Sequence, residues 1–66
     1  QIQVLQHSRS VSVTGAEGKA AVICDIMGRM IAATAKCPER WEAQIPYAGV
    51  FFIRVEGLPA HKIVVR

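Results

Sequence analysis

The sequence has 66 residues, 52% of them hydrophobic and 20% charged, with a net charge of +3. A chain this short forms one domain at most and buries only about 60% of the surface its unfolded form exposes, which excludes a deep catalytic cavity. The balance of residue types is that of a packed globular unit and excludes a disordered segment.

Nothing near Gln1 reads as a basic region followed by an apolar stretch, so neither a signal peptide nor a membrane anchor is expected. The apolar runs fall far short of the ~20 residues that a membrane-spanning helix needs. A chain that opens without Met on strand-like sequence is expected to be a single domain, residues 1–66, serving as the terminal module of a larger protein. Its basic residues are strewn along the chain and interleaved with Glu17, Asp25, Glu39, Glu42 and Glu56. That pattern predicts a solvated surface, with the acids on the outside, and not the basic stripe that tracks a phosphate backbone; no nucleic acid partner is expected.

Period-two alternation recurs throughout, and no segment carries the i, i+3, i+4, i+7 recurrence of an amphipathic helix. Ile2 and Val4 alternate with glutamines, and Val11 and Val13 with Ser10, Ser12 and Thr14, up to a break at GAEG, 15–18. Ala20 to Asp25 is almost wholly apolar, as in a strand central to its sheet. DIMG, 25–28, places Asp first and Gly fourth in a type I turn, and a left-handed Gly28 then completes a bulged hairpin. Cys24 is expected opposite Arg29, with a return strand from Arg29 to Ala35 broken by KCPER at 36–40.

Trp41, Ala43 and Ile45 alternate with Glu42 and Gln44, and PYAG, 46–49, turns the chain. In VFFIRVE, Arg54 marks the wet side, so Phe51, Ile53 and Val55 point inward while Val50 and Phe52 face out or toward a neighbour. The last strand puts Ile63 and Val65 inward and Lys62, Val64 and Arg66 on the other face. About seven short strands at this spacing predict an all-β sandwich or barrel. Seven strands in so few residues favour two antiparallel sheets packed face to face with Greek-key crossings.

Cys24 and Cys37 would lie about 26 Å apart along the hairpin at ~3.3 Å per residue, beyond the reach of a disulfide unless the 36–40 loop doubles back. Cys24 therefore reads as a small buried hydrophobe. His7 and His61 add zinc-type ligands, but no CxxC or HxxxH spacing gathers them, and no metal or other cofactor is expected. Ser8, Ser10 and Ser12 lack the Gly-x-Ser-x-Gly elbow of a nucleophile, and no carboxylates pair for acid–base work. No enzyme and no small-molecule substrate are expected. Trp41 reads as a core plug or as a ligand platform. The strip Val50 and Phe52 reads as a covered second layer or as a contact for another chain.

AAVICDIMGRMI followed, after a gap, by YAGVFFIRVEGLPAHKIVVR resembles the type A C-terminal sorting domain of the type IX secretion system of Bacteroidota. That family carries Asp-x-x-Gly-Arg at a strand end, then Gly-x-Tyr-x-(Val/Ile)-(Arg/Lys)-Val, then Lys-x-x-x-(Lys/Arg) on a final strand. The corresponding residues are Asp25, Gly28 and Arg29, then Gly49 to Val55, then Lys62, Ile63, Val64, Val65 and Arg66. Phe51 stands where the family usually has Tyr, and Cys24 where an aromatic commonly precedes the Asp.

The resemblance implies a seven-stranded immunoglobulin-like sandwich that directs a cargo protein through the periplasm and across the outer membrane. An outer-membrane translocon recognises such domains. In many members a sortase then removes the domain and leaves the cargo on anionic lipopolysaccharide at the cell surface. Lys62 and Arg66, about 13 Å apart around Val64, would form the recognised address, with main-chain pairing at an edge strand adding affinity. Deleting 62–66 would then abolish export. On the residues alone, without the resemblance, Lys62 and Arg66 read as merely solvating the strand. The alternatives are a non-enzymatic immunoglobulin-like adhesion or structural module, and a domain that swaps its terminal strand, so that the chain is a monomer or a strand-swapped dimer.

Overall fold

The computed structural model describes residues 1–66. Seven strands follow one another without a helix: β1 (Gln3–His7), β2 (Ser10–Thr14), β3 (Ala21–Asp25), β4 (Met30–Thr34), β5 (Arg40–Gln44), β6 (Gly49–Val55) and β7 (His61–Val65). They form a three-stranded sheet in the order β1-β2-β5 and a four-stranded sheet in the order β4-β3-β6-β7. Every pairing is antiparallel.

Side-chain alternation builds the core. Ala21 and Ile23 of β3, Phe51, Ile53 and Val55 of β6, and Ile63 and Val65 of β7 are buried on one face of the larger sheet. Val11 and Val13 of β2, with Ala43 and Ile45, come from the smaller sheet, and Ile2, Val4 and Trp41 pack partly buried against them. Phe51 and Ile23 are wholly removed from solvent, and each is flanked by strands on both sides. The inward set expected of β6 and β7 is the one observed.

Four expectations need correction. Cys24 pairs with Met30 and not Arg29, because the register slips between Ile23 and Cys24 and leaves Ile31 as the extra residue of a bulge. Cys24 is only half-buried, while Cys37 is the buried thiol. Cys37 is drawn in by two backbone bonds: its amide donates to the Lys19 carbonyl at 2.7 Å, and its carbonyl accepts from Gly18 at 2.9 Å. Ser12, expected on the wet face of β2, is buried and accepts a bond from Arg40 Nη2 at 3.2 Å. Asp25, expected among the solubilising acids, is only 5% exposed.

The first hairpin turns through Ser8 and Arg9, with His7 opposite Ser10 and Ser8 at a φ of 57°. A left-handed serine carries no sequence signal of the kind a Gly or Asn provides. A domain of this length is held by roughly 3–10 kcal/mol in total. Phe51→Ala is therefore expected to cost about 3–5 kcal/mol and to abolish most cooperative unfolding, whereas Leu5→Ala on the exposed face should stay within about 0.5 kcal/mol. Urea titrations followed by Trp41 fluorescence check both, and comparable midpoints for the two variants would contradict the assigned core.

Candidate functional site

The Asp25–Arg29 turn is the most densely bonded part of the chain. Gly28 N donates to the Asp25 carbonyl at 3.0 Å, and Asp25 N donates to the Arg29 carbonyl at 2.9 Å, closing the hairpin. Gly28 has a φ of 86°, a conformation that an L side chain rarely adopts. The carboxylate itself receives four donors. Oδ1 accepts from Met27 N at 2.9 Å and Arg29 N at 2.8 Å. Oδ2 accepts from Arg29 Nε at 3.0 Å and from the Tyr47 hydroxyl at 2.7 Å. The Arg29 guanidinium lies 5.9 Å from the centroid of the Tyr47 ring, which tilts against Phe51 at 5.5 Å.

This node joins the β3–β4 turn to the β5–β6 connection and to the largest core side chain. The Tyr47 hydroxyl, followed by the backbone and side-chain donors, holds the Asp25 carboxyl below its ordinary range against the opposing effect of burial. The same bond to Asp25 pushes the Tyr47 phenol up. With its oxygens occupied, Asp25 acts as a latch. Gly49 opens β6 opposite Val65 with a φ of 148°, and the backbone there leads directly from Tyr47 into Phe51.

β7 is an edge strand, paired only with β6. Ile63 and Val65 are buried, whereas Lys62, Val64 and Arg66 are exposed. Gln6 Nε2 donates to the Val64 carbonyl at 2.8 Å, so that carbonyl points away from β6. By the alternation of an antiparallel ladder, the main-chain groups of Lys62 share that open side. Val50 and Phe52 lie half-buried on the outer face of the larger sheet, opposite Val64 and Lys62. No other element of the chain covers this face. Two shallow grooves of about 540 and 460 Å³ meet there at Val22 and Arg54, one reaching Met30 and the other Phe52.

Trp41 is half-buried against the core, which supports the core-plug reading. Cys24 and Cys37 are free thiols on separate parts of the fold, and burial pushes the Cys37 thiol up. His7 ends β1 in one sheet and His61 begins β7 in the other. Two contributors escape the sequence reading: Tyr47, whose only local signal is an aromatic in a turn where polar residues are usual, and Gln6, which has none.

The latch sets a pH dependence with a definite sign. Stabilisation from a lowered Asp25 is complete above its ordinary value of 3.8 and is lost as pH falls through the folded value. Stabilisation from a raised Tyr47 is complete below its ordinary value of 10.0 and is lost as pH rises through the folded value. The melting temperature of Tyr47→Phe should therefore lie below that of the parent by a constant margin between those limits, with the margin closing at both ends. A margin that does not change with pH would remove the Asp25–Tyr47 bond as its cause.

No curated protein matches the chain. A family model described as a domain of unknown function, DUF6383, matches residues 1–65. Since that span covers all seven strands, the chain belongs to the DUF6383 family.

Proposed function

We propose that this chain is a sorting module that directs a parent protein across the outer membrane by the type IX route, with β7 as the strand read by the translocon. The observation that carries the reading is the division of labour along β7. Ile63 and Val65 anchor it in the core, while Lys62, Val64 and Arg66 stand exposed beside an open main-chain edge. Strand addition at such an edge obtains affinity from backbone bonds and selectivity from the alternating side chains. Docking there would have to displace Gln6 from the Val64 carbonyl.

The motif positions support the reading through their structural work. Asp25, Gly28 and Arg29 build the latch, and Gly49 and Phe51 set the start of β6 against it. The strand orders β1-β2-β5 and β4-β3-β6-β7 favour an immunoglobulin-like Greek key, in which the second strand pairs with the fifth and the third with the sixth. On this reading the module has no catalytic role. Its partners are the translocon and a sortase or attachment machinery, and its parent reaches the cell surface or the medium.

A second reading, a non-enzymatic immunoglobulin-like adhesion or structural module, draws on the uncovered outer face beside Phe52. Deleting 62–66 does not separate the two readings, because it also strips Ile63 and Val65 from the core. Lys62→Glu with Arg66→Glu reverses the exposed charges and leaves the core intact. In a reporter fused to the module and produced in a bacterium with a type IX system, this double variant should lower surface export by about tenfold or more, through like-charge repulsion at the dock. Its melting temperature should stay near that of the parent. Undiminished export would overturn the proposal, and binding to surface glycans alongside it would favour the adhesion module.

A further inference from the structure

The β7 segment carries two cations that the fold leaves unanswered. Lys62 and Arg66 are exposed, and neither takes part in the two ion pairs, Asp25 with Arg29 and Arg40 with Glu42. The residues opposite Lys62 and Val64 on β6 are Phe52 and Val50, which bear no charge. The four strands of the larger sheet hold a single acid, Asp25, and it is buried with both carboxylate oxygens occupied from within. Arg54, two residues along β6 from Phe52, is exposed and adds a like charge.

The open edge of β7 fixes where an answering charge would have to stand. The main-chain groups of Lys62 and Val64 face away from β6, and within the fold only the Gln6 amide meets them, at the Val64 carbonyl, 2.8 Å away. A strand added antiparallel here bonds through those groups and sets every second side chain of its own opposite Lys62, Val64 and Arg66. A second copy of β7 fits this edge badly. The register centred on Val64 places Lys62 against Arg66 at both ends, and the register centred on Lys62 places lysine against lysine. Like charge thus guards the edge against its own sequence, while a strand with acids at the same positions meets attraction.

We propose that the β7 edge takes an extended acidic segment of a partner protein, with carboxylates at positions i and i+4 set against Arg66 and Lys62 and an apolar residue at i+2 set against Val64. The positions between them lie on the side of the smaller sheet, from which Gln6 reaches over, and suit polar residues. Gln6 is an internal competitor for the site: an amide of the incoming strand replaces its bond to the Val64 carbonyl. This inference rests on the reading of β7 as the docking strand and adds the chemistry of what docks there, which can be scored without export.

Titration of the 66-residue chain, followed through its amide NMR signals, tests it with three capped peptides. These are Thr-Glu-Thr-Val-Thr-Glu-Thr, the same peptide with Lys for both Glu, and an isomer with the two Glu adjacent, Thr-Glu-Glu-Val-Thr-Thr-Thr. The first is expected to bind about tenfold more tightly than the second and about fivefold more tightly than the third. The amides of Lys62 and Val64 should shift and gain protection from hydrogen exchange, while those of Ile63 and Val65, on the side bonded to β6, are protected throughout. Lys62→Glu with Arg66→Glu should reverse the preference between the Glu and Lys peptides, and Gln6→Ala should tighten the first peptide by about threefold. All three substitutions alter exposed side chains, so melting curves near that of the parent should accompany these changes. Equal binding of the Glu and Lys peptides, equal binding of the two Glu isomers, or shifts confined to residues outside β7 would overturn the proposal. So would concentration-dependent shifts of Lys62 and Val64 without peptide, which would assign the edge to a second copy. The expected peptide preference together with undiminished export of the double variant would keep this inference and remove the export reading; lost export with no peptide preference would do the reverse.

Discussion

A carboxylate taken out of water must be matched by donors, and in this small sandwich that requirement falls on Asp25. Its oxygens are satisfied by two backbone amides of its own turn, by Arg29 and by the hydroxyl of Tyr47. The first three donors are local and fix the shape of the hairpin. The fourth comes from the connection between β5 and β6, so the crossing from the smaller sheet to the larger is tied to the hairpin of another strand pair. Tyr47 then leans on Phe51, and the polar latch and the apolar core support one another.

β7 shows how little separation there is between stability and recognition in a domain this thin. The same pentapeptide supplies two buried side chains and three exposed ones, and its open edge meets the side chain of Gln6 from the other sheet. By register Gln6 shares a face of the smaller sheet with Val11 and Ala43, where a hydrophobe would be usual. Its amide instead reaches an edge carbonyl, a small-scale means of protecting an edge that would otherwise invite pairing with a neighbouring chain.

The placement of charge is likewise a product of topology. Read in order, basic and acidic residues alternate without pattern; the antiparallel path brings Arg9, Arg29 and Arg66 to the end that carries Asp25, and Glu17, Glu39 and Glu56 to the other, beside Lys19, Lys36 and Arg40.

Strand number, the turn at Asp25–Gly28, and the inward residues of β5, β6 and β7 were legible in the sequence, because period-two alternation and turn chemistry are local properties. The split of β7 into inward Ile63 and Val65 and outward Lys62, Val64 and Arg66 was legible for the same reason. What the chain order does not encode locally is which residues distant in sequence meet. Ser12 is buried because Arg40 from the neighbouring strand bonds to it, and Cys37 is buried because its loop is bonded to that of Lys19. Cys24 turns outward because the strand that carries it keeps Ile23 and Asp25 on the core side. The burial of Asp25 and its bond to Tyr47 were decided only by tertiary structure, since both depend on partners that are distant in sequence and brought together by the crossings between sheets.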